Sequence, residues 1–406
     1  MKGGVQDFAA RGLDLRALAE QWMDLSEMVP GPGTLPLAVQ PYGPEEVAEA
    51  IATLLDGRLT MGPKVATFER LWAAEVGAEH CVMVNSGSSA LLVMLNALVA
   101  LGRLRPGDEV IVPAVTWSTS LFSVAQAGLR PVLVDVHPDS LCLEGSFDRP
   151  VLAVHLLGQP ARVQAPLVLE DACGAHGARI GEQPVGSIGS AAAFSFFFSH
   201  HLTTGEGGAI PCSDAELADA CRSVRAHGWT RERSDRAAQE ASHAEIDPRF
   251  LFVTSGFNLR PTELAGAFGI HQVPRLRAFV QQRNDNHLDW CAAVADLGLP
   301  LRVFPQRPGT THSGFAFPML LDADSPLDRA ELCRRLEARG VQTHLRQQPG
   351  PPARLRRGPR RPRGGPPARR RRRPHPRPLR RAEPRLRARP ARPAGRRAEE
   401  RLPVLV

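Results

Sequence analysis

A chain of 406 residues with 43% hydrophobic content is long enough for one large or two ordinary domains around a sizeable core. It has no run of about 18 apolar residues, so no membrane-spanning helix is expected. Its seven cysteines are scattered without a CxxC pair, which argues against a disulfide frame or a zinc site. The net charge of +8 misleads: residues 351–406 hold 21 Arg against three acidic residues, leaving residues 1–350 at −10.

The start, MKGGVQDFAARGLDLR, lacks the apolar stretch of a secretory signal, so a cytoplasmic protein with reduced thiols is expected. Residues 12–28 read as an amphipathic helix, and GPGTLPLAVQPYGP (31–44) as a connector. PEEVAEAIATLLDG (44–57) has helical spacing, with Pro44 near its start and Gly57 at its end. From about residue 60 to 212, strands and helices alternate. CVMVN (81–85) is a strand and SSALLVMLNALVAL (88–101) a helix; EVIVPA (109–114) is a strand and residues 118–127 a helix. PVLVDV (131–136), VLAVHLL (151–157), PLVLED (166–171), AAAFSFF (191–197) and GGAIPC (207–212) follow as strands. Residues 213–227 and 261–297 read as helices, and FAFPMLLD (315–322) with LDRAELCRRLEARG (327–340) as a strand and a helix. The alternation predicts an α/β fold with a mainly parallel sheet.

The tail breaks from this abruptly. Residues 351–406 carry 13 Pro and no aromatic residue, and are expected to be disordered, because they cannot bury enough apolar surface to offset chain entropy. One reading is a nucleic-acid arm. The other, preferred here, is a frameshift near residue 346, because Arg, Pro, Gly and Ala are what a GC-rich coding strand gives in a wrong frame. A clean frame through codon 346 would end that reading.

Three segments carry chemistry. In NSGSSALL (85–92) a strand ends, Ser86 and Gly87 turn, and a helix opens at about Ser88; its free amides suit a phosphate, or Ser is simply a cap. VLED (168–171) puts Asp171 at a strand's C-terminal end, where ligands of open α/β sheets collect. There it can pair with a protonated ring nitrogen or cap the next turn. Trp117 in PAVTWSTS (113–120) stands at the same edge, either to stack on a flat ring or to pack in the core. Together they describe a pyridoxal phosphate pocket. Such a pocket normally includes a lysine that binds the cofactor. The only lysines are Lys2 and Lys64, and neither stands at a strand end.

TMGPKVATFE, VNSGSSALL, GDEVIVPAVTW, LEDACGAHGA, SFFFSHHLTTGEGG and GFNLRPTELAGA, in this order, resemble the DegT/DnrJ/EryC1/StrS sugar aminotransferase family over about residues 40–345. The resemblance implies the fold-type-I pyridoxal phosphate architecture. This is a three-layer αβα large domain with a mainly parallel sheet, and a smaller C-terminal α/β domain, here incomplete. The implied division is an N-terminal segment 1–44, the large domain 45–285, the start of the small domain 286–345 and the tail 346–406. His200 occupies the family's lysine position. A branch with this exchange contains 3-dehydratases of nucleotide-linked 4-keto-6-deoxyhexoses; the type without an iron–sulfur cluster acts on the GDP-mannose-derived sugar. By resemblance, pyridoxal or pyridoxamine phosphate is the cofactor and L-glutamate the amine donor. His200 moves a proton, the C3 hydroxyl leaves, and hydrolysis gives a 4-keto-3,6-dideoxy sugar and ammonia. Asp171 keeps the ring nitrogen protonated, Trp117 stacks on the ring, and the Gly87 and Ser88 amides with the Ser195 hydroxyl hold the phosphate. Asn258 reaches the phosphate from the neighbouring subunit of a homodimer with a shared site, and His227 lies near the cofactor. Glu206 is a further cofactor-side position, its other reading being turn structure. No membrane or nucleic-acid partner is expected.

Departures bear on this reading. Gly174 stands where aminotransferases often carry Gln and dehydratases an acid, so a hydrogen bond to the ring hydroxyl is absent or supplied elsewhere. His176 is common in the aminotransferases and does not favour dehydration. The alternative is a cluster-type CDP- or TDP-hexose dehydratase. Against it, Cys173 fits one ligand, but HGWTRERSDRAAQEASHAE (227–245) holds no cysteine. A further alternative is a truncated, inactive homologue.

Overall fold

The computed structural model describes residues 4–23, 30–322, 325–345 and 404–405. Lys2 and the expectations for residues 346–403 lie outside the described residues. Near the N-terminus α1 (Val5–Ala10) is a helix the sequence reading did not assign, and α2 (Leu15–Trp22) falls within the helix expected over 12–28, of which residues 24–28 lie outside the described residues. The Asp14 carboxylate accepts from the Arg16 and Ala17 amides at 3.0 and 2.9 Å and so starts a new helix. Helix α3 (Pro44–Asp56) ends at Gly57 as predicted, and α4 (Pro63–Val76) is a helix that the sequence reading did not assign.

The central sheet has seven strands: β1 (His80–Val84), β2 (Glu109–Pro113), β3 (Arg130–Val134), β4 (Val151–Val154), β5 (Val168–Asp171), β6 (Ala191–Ser195) and β7 (Gly208–Cys212). Their spatial order is β1-β7-β6-β5-β4-β2-β3, and β7 alone runs antiparallel to its neighbours. Alternate side chains feed the two faces. Val82, Val84, Ala191 and Ala193 pack with α5 (Gly87–Ala100), α6 (Ser118–Gln126) and α7 (Ala215–Arg225). Cys81, Met83, Ala192 and Phe194 pack with Phe68 and Trp72 of α4. Helix on sheet on helix is the predicted three-layer arrangement. Helix α5 is buried on most sides, which its nearly unbroken apolar run requires.

A short helix α8 (Arg236–Ser242) follows. The helix expected over 261–297 is two, α9 (Glu263–Ile270) and α10 (Leu276–Asp296), parted by a 3-10 turn at Val273–Arg275. Pro274 lacks the amide that a continuous helix needs. The division implied at 285/286 falls inside α10, which crosses it unbroken. Beyond it, β8 (Leu301–Val303) pairs with β9 (Pro318–Leu321), and α11 (Arg329–Glu337) packs on them through Cys333. Val404–Leu405, within the tail expected to be disordered, pairs with β9 and with His344–Leu345. This corrects that expectation for these two residues, which lie in the tail's one β-prone apolar run, LPVLV.

Among the described residues no helix is long and apolar enough to cross a membrane.

Candidate active site

The carboxyl ends of β5 and β6 meet the amino ends of two helices. Ser86 caps α5 by accepting the Ser89 amide at 3.1 Å. Gly87 must be bare: a Cβ there would stand 2.5 Å from the Ser195 Cβ and 2.9 Å from the Cys173 Sγ. The last glycine of TTGEGG, Gly208, likewise lets β7 lie directly on the Ser86–Gly87 backbone. Ser88 is exposed, and its hydroxyl donates to Thr119 Oγ1 at 3.3 Å, which brings the α6 terminus beside that of α5. Two helix dipoles and the hydroxyls of Ser88, Thr119 and Ser195 thus border one space, a cradle suited to a phosphate. Gly87→Ala is expected to cost about 1–3 kcal/mol through overpacking and to weaken phosphate-anchored ligands; thermal melting with and without pyridoxal phosphate measures both.

The acidic pair of VLED divides between the two faces of β5. Glu170 is fully buried. It accepts from His155 Nε2 at 2.9 Å and from the Gly186, Ile188 and Gly189 amides at 2.8, 2.9 and 2.7 Å, a structural knot. Asp171 faces the other way. Its carboxylate accepts the Ser120 hydroxyl at 2.6 Å and the Cys173 amide at 3.2 Å, and Ser120 is itself bonded to Thr116 at 2.8 Å. These bonds hold an oriented carboxylate at the sheet edge. Trp117, just before α6, is 66% exposed, which disposes of core packing and leaves a flat indole open at the same edge.

His200 follows β6 by five residues, its amide donating to the Phe197 carbonyl at 3.0 Å. Its ring packs against Phe315, centroids 5.1 Å apart, and its buried Nδ1 has no hydrogen-bond partner. Burial lowers its pKa to about 4, with Arg283 adding to the effect. His201 is buried beside it. Lys64 is committed elsewhere: its ammonium pairs with Glu49 at 2.6 Å and donates to Thr53 at 2.6 Å. Gly174 faces Phe315, whose ring atoms lie 3.5 Å from where its Cβ would be.

The remaining sequence candidates stand apart. Glu206 is exposed, and its carbonyl accepts the Thr204 hydroxyl at 2.8 Å, a turn contact. His227 is exposed with φ 63°, and Ala226 beside it bridges Asn258, whose Oδ1 accepts from Arg260 at 3.1 Å. Among the described contacts neither His227 nor Asn258 touches His200, Asp171 or Trp117. Near them a hollow is lined by Arg222, Ala226, Trp229, Arg231, Glu232 and Arg260, with the Arg231 guanidinium 3.7 Å over the Trp229 ring. Thr119, Ser120 and Phe315 were missed by sequence reasoning. The hydroxyl-rich WSTS was the available signal for the first two. Among the described residues no group of three or more His, Cys, Asp or Glu is arranged to hold a metal ion.

Burial also holds His176, His201, His287 and His312 below their ordinary range. All five imidazoles are neutral when folded, and the unfolded chain binds more protons once pH falls below about 6.5. Stability is therefore expected to fall between about pH 6.5 and 4, by about 3 kcal/mol from His200 alone. A lower urea midpoint at about pH 5 than at about pH 7.5 checks the sign.

The DegT/DnrJ/EryC1/StrS aminotransferase family model matches residues 41–351. The chain belongs to this family. Within the DegT/DnrJ/EryC1/StrS proteins it is similar to the GDP-4-keto-6-deoxy-D-mannose 3-dehydratase of Yersinia pseudotuberculosis, 35% identical over 329 residues, 76% of this chain and 83% of that one. The enzyme of the same name from Escherichia coli O55:H7 is 34% identical, over 72% and 81% of the two chains. A crystal structure of GDP-4-keto-6-deoxymannose-3-dehydratase with a trapped PLP–glutamate geminal diamine matches with TM-score 0.69 at 31% identity, covering 77% of this chain and 86% of that one. The architecture is the fold-type-I pyridoxal phosphate fold.

Proposed function

We propose that this chain is a pyridoxal phosphate-dependent 3-dehydratase of GDP-4-keto-6-deoxy-D-mannose, using L-glutamate as amine donor, in deoxysugar biosynthesis of the kind that supplies lipopolysaccharide O-antigen. One observation carries the reading: a neutral imidazole, His200, stands in the family's lysine position, and Lys64 is bound into an ion pair remote from it. The residues fit the cofactor. Gly87 leaves a space that a Cβ would fill, Asp171 is a buried carboxylate at the sheet edge, and Trp117 is an open plate.

When bound, pyridoxal phosphate supplies an electron sink that carries amine and electrons from glutamate to the sugar. The protein does the rest. The Gly87 and Ser88 amides and the Ser195 hydroxyl bind the phosphate, and Trp117 covers one face of the ring. Asp171 holds a proton on the ring nitrogen. His200 Nδ1 or Nε2 would move a proton between the cofactor's C4′ side and the departing C3 hydroxyl. Without a lysine, no side-chain amine competes for the cofactor's aldehyde. His227, Asn258 and the arginine-lined hollow complete the site of a partner subunit in a homodimer, Asn258 at the phosphate and the arginines at the diphosphate of the sugar nucleotide. Glu206 is assigned to the turn beside the cofactor. The work is done in the cytoplasm. Residues 45–285 form the cofactor domain in this reading.

The test incubates the full chain with pyridoxal phosphate, L-glutamate and GDP-, CDP- or TDP-linked 4-keto-6-deoxyhexoses. The expected result is a GDP-sugar lighter by one oxygen, with one ammonia and one 2-oxoglutarate per turnover. No ammonia release from any of the sugars would overturn the proposal.

A further inference from the structure

The proposed chemistry leaves the buried imidazole pair beside His200 unused. His201 is 1% exposed and His176 fully buried. His201 Nε2 donates to the Ser313 carbonyl at 2.9 Å, so its Nδ1 accepts from His176 Nδ1 at 3.2 Å. His176 is itself boxed by the rings of Trp72, Phe194 and Phe196, at 5.4, 5.3 and 5.6 Å. Ser313 belongs to residues 312–315, a strap that lies against His200 and His201 in the segment that follows β6. Four other bonds hold the strap to the rest of the chain: the Ser313 amide to the Gly158 carbonyl at 3.0 Å, Asn284 to the His312 carbonyl at 2.7 Å, the His312 amide to Gln306 Oε1 at 2.9 Å, and Arg283 to the Gly314 carbonyl at 3.2 Å. Its last residue, Phe315, packs on both His200 and His201, at 5.1 and 5.7 Å.

We propose that His201 is a positioning residue for His200: by tying down the strap at Ser313 it keeps the Phe315 ring against the His200 imidazole, and so keeps that imidazole dry and in one orientation. The groups that face His200 are the imidazoles of His176 and His201, the Arg283 guanidinium from α10 and the Phe197 carbonyl from its own segment. None of the groups acting on its protonation is a carboxylate. The apolar cover therefore sets its basicity, and lifting that cover lets water stabilise the imidazolium. His201 contributes no proton transfer of its own in this scheme. Its bonds to Ser313 and His176 are the means.

The proposal rests on His200 being the base, so its test reads the His200 imidazole directly as well as turnover. Ring-nitrogen NMR of the full chain, with the His200 signal assigned by its loss in His200→Asn, gives the titration midpoint with and without cofactor. In the unaltered chain that midpoint is expected at about 4. His201→Ala is expected to move it up by about one pH unit or more, and to lower kcat about tenfold with little change in KM. His201→Gln, whose amide can donate to Ser313 and accept from His176, is expected to restore both. Phe315→Leu keeps the His201 bonds and removes the ring; it is expected to raise the midpoint without lowering the melting temperature. If His201→Ala does not fold, Phe315→Leu decides. A His200 titration unmoved in Phe315→Leu, or in a folded His201→Ala, overturns the positioning role. A shifted titration in a protein that dehydrates no sugar leaves the positioning role standing and removes the proposed reaction.

Discussion

Asparagine in place of His200 is expected to lower kcat for dehydration about a thousandfold while pyridoxal phosphate still binds. Asparagine fills similar space and offers hydrogen bonds, but it takes no proton near neutral pH. The phosphate cradle around Gly87 and Ser195 and the carboxylate of Asp171 are untouched by the change. Cofactor absorbance and steady-state turnover measured together separate the two outcomes. His200→Lys is expected to give a different product, the amino sugar, since the restored amine brings back the family's transfer chemistry. Ammonia release at the unaltered rate from His200→Asn would remove this imidazole from the reaction.

Asp171→Asn is expected to lower kcat by about two to three orders of magnitude, because the buried carboxylate proposed to face the ring nitrogen is replaced by a neutral amide of the same shape. Its neighbour provides the control. Glu170→Gln disturbs a carboxylate that accepts from His155 and three backbone amides, so it is expected to cost about 2–3 kcal/mol of stability. Melting temperature and kcat should therefore respond oppositely in the two variants. Equal loss of stability in both would place Asp171 in the scaffold.

Most of the central sheet was legible because six of its seven strands are buried on both faces, and all read as short apolar runs between helices. All seven appear within a few residues of their expected bounds. The strands Glu144–Ser146, Arg162–Gln164, Arg179–Ile180 and Gln183–Pro184 were not legible, since two or three residues carry no period. Helix α4 was less legible, because its opening Gly62-Pro63 pair also marks a turn. At the site, residues on strand ends and the first turn of a helix were legible from topology alone. Partners that arrive from far along the chain were not. Ser120 meets Asp171 across 51 positions, and His201 meets Ser313 across 112. Likewise, the sequence reading took VLED as a pair, but strand alternation gives one carboxylate to the scaffold and the other to the site. His201, unexplained by its motif, acquires a role only when the strap is in place.

The distance along the chain between His200 and its cover also imposes an order of manufacture. A ribosome releases Gly87, Ser88, Trp117, Asp171 and Ser195 before it has made residues 312–315. In the proposed scheme a half-folded chain with its large sheet assembled would already have the grip for a phosphate, with its imidazole still uncovered. The bond from His201 to Ser313 spans 112 positions, and contacts of that range close late in folding. In the proposed scheme cofactor capture would precede competence, and a protein caught between the two stages would hold the coenzyme without consuming sugar.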